Sequence, residues 1–417
     1  MIEGRIRILL AVFMGLMVTL PLGFITITEA APPIKIGIIS EWDFVGGQGI
    51  KRGAEMAIRE INSAGGLLGR KVEGVFYDDK CDPGEAKNAT ERLLYSDKVD
   101  VMCGFWRSDL AIVCQPLIME TKKIFLIGGA ASPILTVDRI KKDYNTYKYT
   151  FTGASHAFQN VLGITQGINS SLNLGLGKIA VMVEQAAWAD PVYDYILKKY
   201  SEKIVYSTRF STAATDFSVE FAQVKGKDAD ILCLVSTGRG GTAAVKQWYD
   251  MRVPAVFVGH PEHALDPNFW KITEGKCQGV VAQSVGGIMG LRITEKSIPF
   301  YNDYYKVYGE YPIGHTLGQA YDIVMVWAQS VKHAGTIESD AVVKAMEKKD
   351  LNYVGVSGII ERFDEVHVPS GGGWKKGEPW GWVCFQWQNG RREIFWPEAV
   401  KTKDMIIPDW VQKLRRK

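Results

Sequence analysis

The sequence predicts an α/β protein built from parallel sheets with helices on both faces. Three observations carry this. Past Ile34 the chain alternates short apolar runs with amphipathic stretches. Most of the short runs lack polar alternation, as strands buried on both faces do. The stretches between them repeat apolar residues at helical spacing, as at Ile50, Ala54, Ala57, Ile58 and Ile61. Finally, 417 residues is too long for one compact core, so two are expected.

Strands are expected at Ile34–Ile39, Lys71–Tyr77, Val99–Cys103, Ile124–Ile127 and Tyr147–Phe151, then at Lys178–Val183, Ile204–Phe210, Ile231–Val235 and Ala255–Val258. Helices fall between them at Gly49–Ser63, Gly84–Tyr95, Asp109–Glu120, Gln159–Asn169, Pro191–Tyr200, Phe217–Val224 and Thr242–Asp250. Strand–helix alternation of this length means parallel pairing. The pattern breaks near Gly275. A strand at Val280–Gln283 precedes three helices, Ile298–Tyr308, Thr316–Ala334 and Asp340–Lys348. Strands near Ile359–Phe363, Trp382–Gln388 and Arg391–Phe395 close the chain, separated by an exposed loop with Pro369 and Gly371-Gly372-Gly373. Two blocks and a late helical segment suggest lobes assembled from discontinuous pieces.

Met1–Ala30 reads as an export signal. Arg5 and Arg7 precede an apolar stretch from Ile8 to about Ile27, and Thr28-Glu29-Ala30 suits a signal peptidase. The stretch is long enough to span a membrane, but its short flank favours cleavage near Ala30. The first cysteine, Cys81, is too far along for lipidation of the new terminus. A soluble protein in a periplasm-like compartment is therefore expected. The net charge of +3 gives no case for nucleic acid. The basic end Lys413-Leu414-Arg415-Arg416-Lys417 reads as a solvated helix terminus. Export permits disulfides among the six cysteines. Cys81 and Cys103 follow or close neighbouring strands, so a bridge between them is expected. Cys114, Cys233, Cys277 and Cys384 sit in apolar surroundings and read as buried small hydrophobes.

No enzyme constellation emerges, and neither a cofactor nor a metal is expected. Gly153-Ala154-Ser155-His156-Ala157 lacks the second glycine of a nucleophile elbow. Gly238-Arg239-Gly240-Gly241 is an incomplete dinucleotide fingerprint, and His260-Pro261-Glu262-His263 lacks the helical spacing of a zinc protease.

Several stretches resemble one family. Ile34–Ile39, the run Gly53-Ala54-Glu55-Met56-Ala57-Ile58-Arg59-Glu60-Ile61-Asn62, Gly65-Gly66, and Tyr77-Asp78-Asp79-Lys80-Cys81-Asp82-Pro83 closely match the opening of the leucine/isoleucine/valine-binding proteins. These are type I periplasmic binding proteins of branched-chain amino acid ABC transporters. Gly104–Pro116, Thr215-Asp216-Phe217-Ser218 and Ala320-Tyr321-Asp322 fit later segments, so the resemblance spans nearly the whole mature chain. It implies two Rossmann-like lobes joined by three hinge crossovers, with a small ligand between them. One lobe would comprise 31–152 with 288–357, the other 153–287 with 358–417. A monomer that hands its ligand to an ABC permease in the membrane is implied.

The resemblance also implies a site. Ser108, at the start of a helix, matches the carboxylate-binding serine, and a helix N-terminus favours an anion. Gly129 and Ala131 fall where the family offers backbone and a threonine, Trp188 where an aromatic closes over the ligand, and Thr237 where another aromatic is usual. Glu262 falls near the acid that pairs the ligand's ammonium, though His260 is an apparent insertion before it. The first loop is shortened and holds Trp42. Arg107 and Arg239 stand where uncharged residues are common. These departures leave room for an aromatic or more acidic ligand, with Trp42, Trp106 and Trp188 lining the pocket. Gly104-Phe105-Trp106-Arg107-Ser108 also resembles the equivalent turn of amide- and urea-binding relatives, which keeps an amide ligand or a sensor role open.

Overall fold

Apolar β-branched runs form the two sheets that organise the chain, one parallel and one mixed. The computed structural model describes residues 31–153, 156–285, 288–312, 314–370 and 382–415. The export signal, the glycine run at 371–373 and part of the 153–157 motif lie outside them.

The first sheet holds five strands: β1 (Ile34–Ser40), β2 (Val72–Asp78), β3 (Val101–Gly104), β4 (Ile124–Ile127) and β5 (Thr150–Thr152). Their spatial order is β2-β1-β3-β4-β5, with every pair parallel. The second sheet holds seven, including β6 (Ile179–Glu184), β7 (Ile204–Phe210), β8 (Ile231–Ser236), β9 (Val256–Pro261) and β10 (Val281–Val285). Two short hairpins follow, of β11 (Tyr353–Val354) with β12 (Ile359–Ile360) and β13 (Arg362–Phe363) with β14 (Pro369–Ser370). Antiparallel β15 (Trp382–Gln388) and β16 (Arg391–Trp396) then extend the second sheet beside β10. Each sheet has its own apolar core.

The helix Val45–Ser63 shows how the pattern becomes packing. Ile50, Ala54, Ala57 and Ile61 are all buried, and this face meets the helix Thr316–Ala334. The latter is buried along most of its length. Asp322 on it is fully buried and accepts the N–H groups of Val356 and Ser357 at 2.8 Å each and the Tyr353 hydroxyl at 3.2 Å. Burial pushes its carboxyl up to about 6, against those hydrogen bonds. The tie explains why the hairpin after this helix returns to the first core.

Three expectations change. The strand expected at Tyr147–Phe151 starts only at Thr150, because Tyr144–Tyr147 closes a helical turn capped by Asp143. The segment after residue 357 stays with the first half. Ile360 and Phe363 belong to its core, and His367 stacks on Phe151 at 4.0 Å. His367 also reaches the Thr150 carbonyl at 2.9 Å, so the boundary expected at 357/358 moves to beyond Ser370. The third change concerns Cys81 and Cys103, which are free thiols. Cys103 is sealed inside β3, while Cys81 sits in the turn after β2 and hydrogen-bonds Glu41. The other four cysteines are buried.

Two predictions follow from buried acids. Asp322→Ala strands two buried N–H groups and is expected to cost about 3 kcal/mol in urea unfolding; a loss under 1 kcal/mol would refute the tie. Asp79 is buried beside Glu41 and Asp78, and burial pushes its carboxyl up to about 7 from 3.8. The folded chain thus holds this proton more tightly than the unfolded one. The resulting stabilisation is fully present below about pH 4 and is lost as pH rises through about 7. The advantage of Asp79→Asn over the parent should grow by about 4 kcal/mol between pH 4 and 8. A constant difference across that range would exclude this origin.

Candidate functional site

Parallel strands bring their carboxyl ends, and the helix N-termini that follow, to one rim. On the first sheet, β3 ends at Gly104 and the chain turns sharply. Phe105 takes the left-handed conformation at φ 53°, a strained geometry for a bulky residue costing on the order of 1–3 kcal/mol. Its buried ring packs edge-on against Phe125, and its carbonyl accepts the Ala130 N–H at 2.9 Å. The turn carries Trp106 inward. Trp106 lies so close over Gly46 that a Cβ there would come within 2.3 Å of the indole, so only glycine fits. Phe44 backs the indole at 6.1 Å between ring centres.

Ser108 opens the helix Ser108–Glu120. Its Oγ accepts the N–H groups of Ala131 and Ser132 at 3.1 Å each. A hydroxyl that accepts both bonds still has a proton to donate. The first N–H groups of the helix lack intrahelical partners and carry the positive end of its dipole. Arg107 forks onto Asp109 through bonds of 3.0 and 2.9 Å. Burial disfavours its charge, but Asp109 outweighs this and holds the guanidinium well above its ordinary value.

Glu184, at the end of β6, organises the facing wall from a fully buried position. It accepts Trp188 Nε1 at 3.0 Å, Ser236 Oγ at 3.2 Å, the Gly238 N–H at 3.1 Å and the Thr237 hydroxyl. Four donors satisfy a carboxylate that would otherwise be prohibitive to bury. One acid thereby fixes both Trp188 and Thr237.

Between these walls lies a narrow cavity. Trp106, Arg107, Ser108, Gly129, Ala131, Trp188 and Thr237, all expected from the sequence, line it together. Asn160, His260 and His315 join them. A wider outer cavity shares Trp106, Arg107 and Thr237 and adds Glu41, Phe44 and Arg239. Both arginines thus face the opening, with Arg239 exposed to solvent.

Two expected residues are elsewhere. Trp42 is half-buried away from the cavity, with Lys51 Nζ 5.5 Å from its ring centre and its backbone N–H donating to Asp78 at 3.3 Å. Phe44, two residues on, takes the place beside Trp106 because it enters the helix Val45–Ser63 from its buried side. Glu262 is fully buried and does not line the cavity. His260 Nε2 lies 2.8 Å from one carboxylate oxygen and His315 Nδ1 3.7 Å from the other. Neither oxygen meets a donor other than these histidines. Burial alone would raise the Glu262 carboxyl, but His315, His260 and His263 outweigh it and hold it below the ordinary value. Burial pushes His315 and His263 down, with Glu262 opposing. Gln283 Nε2 donates to Asn160 at 2.9 Å and meets His260 Nδ1 at 3.0 Å, leaving the His260 proton on Nε2, toward Glu262. Among the described residues, no group of His, Cys, Asp and Glu is arranged to hold a metal ion.

Two largely parallel sheets flanked by helices, with a cavity at their carboxyl ends, define a solute-binding architecture of the type I periplasmic kind. Residues 33–374 match the family model described as periplasmic binding protein, and the chain belongs to that family, whose members bind solutes rather than catalyse reactions. Leu/Ile/Val-binding protein homolog 1 of Brucella abortus (strain 2308) is 24% identical over 371 residues, covering 86% of this chain and 90% of the relative. The substrate binding protein LivJ from Streptococcus pneumoniae, solved with isoleucine, aligns with a TM-score of 0.73 at 23% identity, over 87% of this chain and 98% of its own. A solute binding protein of an ABC transporter from R. palustris, solved with benzoate, aligns with a TM-score of 0.71 at 17% identity, over 90% and 99%.

Glu184, His315 and the pairing of His260 with Glu262 escaped sequence reasoning. Glu184 closes an apolar strand and carries no motif. The role given to Glu184 is testable: Glu184→Ala should cost about 3 kcal/mol in urea unfolding by stranding buried donors. Glu184→Gln, which keeps one acceptor, should recover part of that loss. Equal stability of both variants and the parent would remove the role.

Proposed function

We propose that this chain is the extracytoplasmic substrate-binding protein of an ABC importer. It takes an amino acid or related small carboxylate between two lobes and delivers it to the permease. In this reading the N-terminal signal directs export and is removed near Ala30. The protein then works as a soluble monomer without a cofactor. The observation that carries the reading is Ser108 at a helix N-terminus, facing a cavity walled by Trp106 and Trp188. The hydroxyl and the free N–H groups of the first turn suit a carboxylate, and the indoles suit its apolar body. Micromolar affinity would need about 8 kcal/mol, within reach of a fully enclosed small molecule.

An aromatic acid is a second reading of the same site. It is favoured by Glu262 being absent from the cavity wall, where an ammonium would need it. Benzoate and 4-hydroxybenzoate are held by solved proteins of the same fold.

The test is isothermal titration of the purified protein with leucine, isoleucine, benzoate, 4-hydroxybenzoate, acetamide and urea. At least one carboxylate should bind, and Ser108→Ala should weaken it roughly ten- to a hundredfold. Unchanged affinity in Ser108→Ala would remove the proposed dock, and binding of acetamide or urea alone would overturn the carboxylate reading.

A further inference from the structure

Titratable rings meet across the seam between the two halves of the chain. His315 is the N-cap of the helix Thr316–Ala334, whose Leu317, Tyr321 and Val324 belong to the first core. Glu262 and His263 open the turn after β9, whose Ala264 and Leu265 belong to the second core. The fold sets one Glu262 oxygen 3.7 Å from His315 Nδ1, so an acid of one half faces a histidine of the other. A second contact lies beside it. His263 meets Phe44 edge-on at 5.1 Å between ring centres, and Phe44 packs with Ile50 and Trp106 of the first half. Glu262 and His263 line neither the inner nor the outer cavity. Their contacts join one half to the other.

This seam resists added protons. An imidazolium carries two N–H groups and needs an acceptor for each. Among the described residues, His263 Nδ1 and His315 Nδ1 are buried without a hydrogen-bond partner. The Glu262 oxygen near His315 lies beyond hydrogen-bond length. His263 faces Phe44, with Glu262 and Asp266 favouring a proton on it and Arg239 opposing one. His315 faces Trp106, with Glu262 favouring a proton and His260 opposing one. His260 itself is enclosed by Glu262, Gln283 and Trp188. For His263 and His315 burial outweighs the acids and holds both rings below the ordinary 6.5. Parting the halves would return both rings to water and to that ordinary value. The joined form therefore binds fewer protons than the parted form. Joining is most favoured above 6.5 and weakens as pH falls below it. Each excluded proton weakens it by up to about tenfold per pH unit. Glu262, held below 4.5 in the joined form by the three histidines, adds the same sign only below that value.

We propose that Glu262, His263 and His315 form a proton-operated latch between the two halves, holding them together near neutral pH and releasing them in mild acid. Residues outside the cavity thereby set how firmly it closes, since any group that binds protons differently in two states shifts the balance between them. The inference rests on the reading that the halves part to admit a solute, but not on which solute that is.

Small-angle X-ray scattering of the purified protein, with no solute added, tests it between about pH 8 and about pH 5. The radius of gyration should increase in acid, with the change setting in below 6.5, while circular dichroism shows the chain still folded. His263→Phe and His315→Phe made together should leave the radius constant over that range. Each alone should shrink the acid increase, so the single variants decide the matter if the pair does not fold. His333→Gln, at an exposed histidine of the helix Thr316–Ala334, should behave as the parent. A parent radius that does not change overturns the latch, as does a full acid increase in the folded single variants or its loss in His333→Gln. Scattering without solute also keeps two failures apart. A chain that binds a carboxylate but never expands in acid loses only the latch. A chain that expands in acid but binds none of the titrated carboxylates loses only the carboxylate reading.

Discussion

Ser108 Oγ receives the N–H groups of Ala131 and Ser132, and this pair of bonds holds the loop after β3 to the loop after β4. Much else on that side of the cavity follows from it. The strained turn at Phe105 is kept in place from one side by Ile39 and from the other by Ala130. The helix Ser108–Glu120 starts where its free N–H groups meet the cavity. Trp106, carried on the same turn, fits because Gly46 leaves room for it. A few hydrogen bonds between adjacent strand ends thus convert a generic parallel sheet into a shaped wall.

The second wall uses a different device. A buried carboxylate, Glu184, gathers two side-chain hydroxyls, an indole N–H and a backbone N–H. Its donors come from the segment after β6 and the end of β8, which are adjacent in the sheet. Glu262 shows the opposite state of a buried acid. Its close partners are histidines alone. The contrast separates an acid closed by four donors from one that meets only titratable rings.

Much of the fold was legible because burial writes itself into sequence. Ile34–Ser40, Ile124–Ile127 and Ile231–Ser236 are apolar with little alternation, and the structure buries them on both faces. The helical stripe at Ile50, Ala54, Ala57 and Ile61 was equally plain. The two-residue strands Tyr353–Val354 and Arg362–Phe363 were harder, since segments that short show no period. The assignment of 358–370 to one half also escaped, because His367 stacking on Phe151 joins residues far apart in the chain. The Cys81–Cys103 bridge failed for a related reason: neighbouring strand ends do not say which way each side chain points.

By itself the sequence determined the parallel α/β class, most strand and helix positions, and a group of cavity residues from Trp106 to Thr237. Those features depend on local periodicity, on helix starts, and on motifs that survive in order along the chain. The tertiary structure alone decided that Phe44 rather than Trp42 backs the indole, and that Glu184 anchors the facing wall. It also decided that Glu262 lies behind His260 and His315 instead of on the cavity surface. The physical reason is common to all three. A side chain's direction and the partners it meets across the fold depend on the register of distant elements, which no local pattern records.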